Sequence, residues 1–167
     1  MRRAFLVAIA AAWMLVVAPP AAADPVPFNA TFQEFFGKSA AHPCQGAFYC
    51  GTGSVAGFGE ATSTVNVLDF SGFDPETGCA TAVTERVIRL SDGSTVTLIA
   101  TEVVCTPGRS TFAPGAMKSF GNPTLTTGTF TVVSGTGEFA GATGTGTLTT
   151  RLAGESGHTT LSGTVDL

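Results

Sequence analysis

The chain has 167 residues, of which 12% are charged and 44% are hydrophobic, and its formal net charge is −4. This length fits a single domain. An acidic chain without a cluster of Lys or Arg residues is poorly suited to nucleic acid or to an anionic membrane surface, so we exclude both as partners.

The first 23 residues have the composition of a secretory signal peptide. Arg2 and Arg3 precede an apolar run over residues 4–18, and Ala21-Ala22-Ala23 supplies small residues for cleavage. The run is too short for a comfortable transmembrane span. We therefore expect cleavage before Asp24 and a secreted location, either extracellular or in the periplasm or cell envelope. Loss of Arg2 and Arg3 leaves six basic against twelve acidic residues, a formal charge of −6.

Residues 24–44 form an N-terminal segment ahead of a predicted domain over residues 45–167. The stretch FNATFQEFFGKSA in this segment is compatible with a first strand, a loop or a short helix. Beyond it, apolar and polar residues alternate with period two between turn signals, which predicts strands. We place them at residues 54–58, 61–70, 79–90, 94–105, 124–134, 143–152 and 159–167. Short strands at this spacing indicate a sandwich or a barrel.

The clearest hairpin lies between residues 79 and 105, where the loop SDG joins two apolar strands. Gly93 in this loop is expected to adopt a positive φ, which places Leu90 opposite Ser94. In that register the even-numbered face is the more apolar, so we expect it to point inward. Arg86 and Glu102 lie on this inward face. Glu102 lies opposite Ala82, so the register predicts that the two charges are not direct partners.

Four cysteines, an even number in an exported chain, predict two disulfide bonds. The hairpin register places Cys79 directly opposite Cys105, within bridging distance. That leaves Cys44 and Cys50 for the second bridge. A zinc site that adds a histidine is the alternative, but the cysteine spacings match no common zinc pattern, so we predict no metal.

The stretch VVSGTGEFAGATGTGTLTT, residues 132–150, contains G-x-G-x-x-x-G after an apolar run. A phosphate-binding loop would need a helix after its glycines, and no helix of useful length fits here. We therefore interpret Gly135 and Gly137 as turn residues and expect Phe139 to plug the end of the domain. Gly146 should leave room for a bulky neighbour such as Phe130.

This same stretch resembles the C-terminal signature of allene-oxide-cyclase-like and dirigent-like barrel proteins, which runs strand, G-T-G-x-F, A-x-G, strand. Residues 51–55, 74–79 and 92–94 resemble secreted bacterial members of that group in the motifs G-x-G-x-V, D-P-x-T-G-C and D-G-S. The resemblance implies an all-β fold, an antiparallel eight-stranded barrel with an apolar lumen. Plant members cyclise an allene oxide or direct the coupling of phenoxy radicals. No catalytic residue of those enzymes is carried over to this chain.

Three functions are compatible with these observations. The barrel could bind a small apolar ligand in its lumen, as eight-stranded barrels can. It could instead be a cyclase or isomerase that confines a reactive substrate beside one acid or base. It could also be a structural or partner-binding protein with a filled lumen. The sequence contains no nucleophile or metal motif, so we expect ligand binding first, with no cofactor.

The candidate site residues follow from the predicted lumen. Glu102 and Arg86 are the candidate catalytic residues, because a charge that faces a barrel interior needs a partner, solvent or a ligand. Tyr49, the only tyrosine, and Leu98 and Phe130 are the candidate ligand-binding residues.

Overall fold

The computed structural model describes residues 24–37, 44, 46–105 and 119–167, with the backbone alone over 119–124. Eight antiparallel strands form a closed barrel in which each strand pairs with the next and β8 returns to β1. The strands are β1 Val26–Phe36, β2 Tyr49–Val55, β3 Gly59–Asp74, β4 Cys79–Leu90, β5 Thr95–Cys105, β6 Ser119–Thr136, β7 Thr143–Gly154 and β8 Ser156–Asp166. The predicted signal peptide lies outside the described residues. Within them, no helix has the length and apolar character needed to cross a membrane.

The predicted all-β fold with an eight-stranded antiparallel barrel is confirmed. The N-terminal segment contains β1, which pairs with both β2 and β8 and so belongs to the barrel. The strand predicted at residues 54–58 was wrong in its bounds. β2 ends at Val55, and Gly57 adopts φ of +84° in the turn that follows, a conformation that favours glycine.

The hairpin between β4 and β5 has the predicted register. Gly93 has φ of +94°, the Leu90 N–H donates to the Ser94 carbonyl at 2.9 Å, and Ala82 pairs with Glu102. Because side chains alternate between the two faces of a strand, this register buries the even-numbered residues of both strands, as expected.

Both predicted disulfide bonds are present. Cys79 pairs with Cys105 across the hairpin, with 4.0 Å between their Cα atoms, and Cys44 is bonded to Cys50, with 5.4 Å between theirs. No free cysteine is found among the described residues. The zinc alternative is therefore not supported, since bridged sulfurs cannot act as thiolate ligands.

One end of the barrel, the plugged end, is closed by the connection between β6 and β7. Gly137–Phe139 forms a single 3-10 turn, which is too short to hold a phosphate group at its N-terminus. Phe139 is fully buried there, with its ring centroid 4.8 Å from that of Phe58 and 6.2 Å from that of Phe28. A Cβ atom on Gly146 would lie 2.4 Å from the Phe130 ring. The plug and the space for Phe130 agree with the sequence interpretation.

Candidate functional site

The inward-facing residues of the barrel form three layers. A main apolar core fills the plugged end and includes Phe28, Phe32, Ile88, Leu98, Phe130, Phe139 and Leu161. A second apolar cluster at the opposite end, the cavity end, consists of Phe36, Tyr49, Val65, Ala82, Val104 and Leu152. Between them lies a buried polar layer made of Glu34, Ser63, Thr84, Arg86, Glu102, Thr126, Thr150 and Thr159. The lumen is therefore packed with side chains at the plugged end, and its polar groups lie towards the cavity end.

The period-two geometry of the strands produces this layering. On β1, Phe28, Ala30 and Phe32 face the main core, Glu34 faces the polar layer and Phe36 faces the second cluster. β5 repeats the order with apolar residues, then Glu102, then Val104. On each of these two strands, the inward residues on either side of the glutamate are apolar and belong to the two apolar clusters. Glu34 and Glu102 therefore both lie in the polar layer between those clusters.

Arg86 on β4 and Glu34 on β1 form a buried ion pair across the lumen. Nη1 of Arg86 donates to Oε1 of Glu34, and Nη2 lies 3.4 Å from Oε2. Ser63 donates to Oε1 at 2.8 Å and accepts from Nη1 of Arg86 at 2.7 Å. Thr159 donates to Oε2 at 2.7 Å. Each oxygen of Glu34 is thus bonded to both a hydroxyl and the guanidinium.

The net effect on Glu34 is a lowered pKa. Burial alone raises the pKa of this carboxyl, because a low-dielectric interior disfavours charge. The Arg86 guanidinium, together with hydrogen bonds from Arg86, Thr159 and Ser63, outweighs burial and holds the pKa below its ordinary value. Glu34 is therefore ionised at neutral pH, and its charge is balanced by Arg86.

Glu102 is buried in the same layer, with 6% of its surface exposed. Thr84 donates to Oε1 of Glu102 at 2.5 Å. Oε2 has no hydrogen-bond partner among the residues that the structure describes, and Glu102 makes no ion pair with any of them. Buried polar atoms in folded proteins are nearly always hydrogen-bonded. Oε2 is therefore an acceptor, or a donor when protonated, that is available to a bound molecule.

The surroundings of Glu102 favour its uncharged form. Burial is the largest influence and raises the pKa of this carboxyl. The hydrogen bond from Thr84 and the charge of Arg86 lower the pKa in part, and the charge of Glu34 raises it again. The balance is a pKa above the ordinary value, so two carboxyl groups in one layer have opposite shifts.

A cavity lies against Glu102 at the cavity end. Its volume is about 30 Å³. This is room for about two water molecules or for one small end of an organic molecule. The walls combine the polar layer with apolar residues and are formed by Glu34, Tyr49, Val65, Val67, Ala82, Thr84, Arg86, Glu102, Val104, Thr126, Thr150 and Leu152.

Tyr49 contributes the phenol of this cavity. Its ring packs edge-to-face against Phe48 and Phe36, with centroids 5.0 and 5.8 Å apart. Burial raises the pKa of Tyr49, and the charges of Glu34 and Glu102 raise it further. The hydroxyl therefore keeps its proton well beyond neutral pH. Cys50, the next residue, is tied to Cys44 by a disulfide, which anchors the start of β2 where Tyr49 lies.

Not every candidate residue lies at this cavity. Arg86 and Glu102 face the interior as predicted and are not paired with each other, which is confirmed by the pair between Arg86 and Glu34. Tyr49 is also on the cavity wall. Leu98 and Phe130, however, are buried in the main apolar core and do not line the cavity. Roles in catalysis or ligand binding stay predictions for all five.

Glu34 was missed by the sequence analysis. The alternation of Phe28, Ala30, Phe32, Glu34 and Phe36 marks a single inward face once β1 is known to be a strand. The segment is too short and too aromatic for periodicity to distinguish a strand from a short helix. Without a strand at this position, the partner of Arg86 could not be identified.

The described residues contain no group of histidine, cysteine and acidic side chains that could hold a metal ion. Comparisons with protein-family models, with curated proteins and with solved structures gave no match to this chain. The class that the fold and the site define is a closed, eight-stranded antiparallel β-barrel with two disulfides and a buried polar layer beside a cavity at one end.

Proposed function

We propose that this chain is a secreted barrel protein that binds a small, mostly apolar ligand in the cavity beside Glu102. The observation that carries the proposal is Oε2 of Glu102, which is buried on the cavity wall without a partner among the described residues. A buried polar atom of this kind costs about 1–3 kcal/mol unless it is bonded. A ligand or an ordered water that bonds Oε2 would recover that free energy.

The walls support an apolar ligand of modest size. Val65, Val67, Ala82, Val104 and Leu152 supply hydrocarbon surface around the polar groups, which is the usual composition of a small-molecule site. The main core fills the rest of the lumen. A ligand therefore enters with one small end, or is small as a whole.

Export is part of the same proposal. Two disulfide bonds favour an oxidising compartment, and the composition of residues 1–23 favours secretion. We also propose the kinship with allene-oxide-cyclase-like and dirigent-like barrels, which rests on the motifs of the sequence and on the number and direction of the strands.

The unusual aromatic content provides a direct test. Tyr49 is the only tyrosine, and the only tryptophan, Trp13, lies in the predicted signal peptide. Residues 24–167 contain every strand of the barrel, so fluorescence of this chain reports on the cavity wall alone. Ligand binding should change Tyr49 emission and the NMR shifts of the Val104 and Leu152 methyl groups. Native mass spectrometry of the secreted protein should find a bound small molecule.

A lack of ligand binding would contradict the proposal. If no compound is bound in the native protein, and a broad set of small apolar molecules leaves Tyr49 and both methyl groups unchanged, the proposal fails. A structural or partner-binding role with a filled lumen would then replace it.

A second candidate function is a cyclase or isomerase that uses Glu102 as a general acid. A specific observation favours it, because burial raises the pKa of Glu102 and so favours the proton-carrying form of an acid on the cavity wall. Arg86 would act indirectly, by holding Glu34 ionised and in place. Substitution of Glu102 by Gln distinguishes the two functions, since turnover would be lost in an enzyme while ligand binding would persist.

A further inference from the structure

We propose that the cavity selects uncharged ligands that carry a hydrogen-bond-accepting oxygen, such as a ketone, aldehyde, ester or ether, and that Glu102 in its protonated form donates to that oxygen through Oε2. This inference rests on the proposed function, because it names the class of ligand that the cavity binds.

The hydrogen bonds around Glu102 define its free position. Oε1 already accepts from Thr84 at 2.5 Å, while Oε2 has no partner in the described part of the chain. Glu102 is buried, with 6% of the residue's surface exposed, and it lies on the cavity wall. The free oxygen is therefore a buried polar group with which a ligand at this wall can form a hydrogen bond.

The charges around the cavity oppose an anionic ligand. Arg86 is the cation of the described polar layer, and both of its terminal nitrogens are directed to Glu34. An anion would have to compete with Glu34 for Arg86 and would also approach Glu102, in an interior where an unpaired charge is costly. Among the residues that the structure describes, the cavity therefore offers no free positive charge.

A cationic ligand is the competing possibility, because it could pair with an ionised Glu102. Such a ligand requires Glu102 to lose its proton in a layer that already contains the Glu34 carboxylate. Of the residues that the structure describes, the titratable or charged ones that line the cavity with Glu102 are Glu34 from β1, Tyr49 from β2 and Arg86 from β4. The polar residues that β3, β6, β7 and β8 contribute to the layer are uncharged, namely Ser63, Thr126, Thr150 and Thr159. This balance favours the protonated acid, which donates a hydrogen bond to a neutral acceptor.

The two possibilities predict opposite dependence on pH. A neutral acceptor binds the protonated acid, so its affinity falls as pH rises through the pKa of Glu102. An amine pairs with the carboxylate, so its affinity rises over the same range, up to the pKa of the amine itself.

The test uses four probes with one five-membered ring: cyclopentanone, cyclopentane, cyclopentylamine and cyclopentanecarboxylate. A cavity of about 30 Å³ has room for the functional group of a probe and its adjoining carbon, and not for the whole ring. Binding to residues 24–167 is measured by the NMR shifts of the Val65, Val104 and Leu152 methyl groups, which lie on the cavity wall. We expect cyclopentanone to bind about tenfold more tightly than cyclopentane, which corresponds to about 1.4 kcal/mol. The amine and the carboxylate should bind more weakly than the ketone.

Two variants complete the test. Glu102→Gln keeps a donor in place of the acid, so ketone binding should persist and lose its dependence on pH. Glu102→Leu removes the donor, so the preference for ketone over cyclopentane should disappear while cyclopentane still binds. Retained binding of cyclopentane also shows that this variant is folded.

The outcomes separate the two proposals. If cyclopentane binds and the ketone has no advantage, or if the amine binds best and more tightly at higher pH, the selection of neutral acceptors is wrong and ligand binding stands. If none of the four probes binds at any pH, both proposals fail.

Discussion

Arg86 and Glu34 are 52 residues apart in the chain and form a bonded ion pair inside the barrel, where 3% and 2% of their surfaces are exposed. Their attraction has to offset the removal of two charges from water, which is costly in a low-dielectric interior. The pair therefore adds less stability than its geometry suggests. Its main consequence is that Glu102 lies in the same layer without a cation of its own in the part of the chain that the structure describes.

Removing Arg86 should be far more costly than removing an exposed arginine of the same strand. Arg86→Met leaves Glu34 buried and unpaired, which we expect to lower the free energy of unfolding by about 3–5 kcal/mol. Arg89→Met is the matched control, because Arg89 is exposed on β4, and it should change stability by no more than about 0.5 kcal/mol. Urea denaturation of both variants measures the difference. Equal effects would show that the pair does not hold a buried charge.

The double variant Arg86→Met with Glu34→Leu tests whether the unpaired charge of Glu34 causes the instability of Arg86→Met. It removes both charges, so no unpaired charge remains, and it should recover most of the stability lost in Arg86→Met. If the double variant is as unstable as Arg86→Met, packing rather than charge explains the loss.

The raised pKa of Glu102 predicts a distinct dependence of stability on pH. The folded protein holds this proton more tightly than the unfolded chain, so the stabilising contribution is present below the unfolded pKa and is lost as pH rises through the folded pKa. Each unit of pKa difference corresponds to about 1.4 kcal/mol. Glu102→Gln should therefore gain stability relative to the native chain as pH rises across that window. Thermal or urea unfolding of both chains at several pH values measures this, and parallel pH profiles would contradict it.

Glu34 should show the opposite behaviour. Its pKa is lowered in the folded protein, so its contribution is present above the unfolded pKa and is lost as pH falls through the folded pKa. Unfolding of Glu34→Gln and the native chain should differ most at neutral pH and converge in acid. A difference that grows in acid would mean that Glu34 is not ionised in the barrel.

Substitutions at Gly137 and Gly141 distinguish the cost of backbone strain from the cost of steric crowding at the plugged end. Both have positive φ, +61° and +80°, but a Cβ atom on Gly137 would lie 2.2 Å from Oγ of Ser94, whereas none of the described atoms lies near one on Gly141. Gly141→Ala should cost about 1 kcal/mol from backbone strain alone, and Gly137→Ala should cost more. Neither variant should selectively abolish ligand binding. Nucleotide binding that is lost in Gly137→Ala would instead indicate a phosphate loop.

Loss of either disulfide should lower the stability of the barrel, and loss of Cys44–Cys50 should also affect ligand binding. The chain-entropy model gives about 3.5 kcal/mol for Cys79–Cys105 and about 2.4 kcal/mol for Cys44–Cys50, because the first closes the longer loop. Cys-to-Ser pairs at each bridge, unfolded in urea, measure these values. Loss of Cys44–Cys50 should also weaken ligand binding, since this bridge anchors β2 beside Tyr49. Unchanged binding in that variant would show that the bridge does not support the cavity.

The intact mass of the secreted protein should correspond to a start at Asp24 without free thiols.

Most of the fold could be predicted from local patterns. The SDG loop determined the register between β4 and β5, and that register alone predicted the Cys79–Cys105 bridge and the inward face with Arg86 and Glu102. These features depend on residues close together in the chain, where turn geometry and the two-residue period of a strand leave few alternatives.

The site required the tertiary structure. Closure of the barrel brings β1 beside β8 and places Glu34 across the lumen from Arg86, a contact that no local pattern encodes. The same closure puts Leu98 and Phe130 in the filled core and leaves the cavity at the other end. Residue type and alternation determine which side chains point inward. Which of them meet is decided by strand order and by the depth of each residue in the barrel. This is why Arg86 is paired with Glu34, while Glu102 has no cation partner among the described residues.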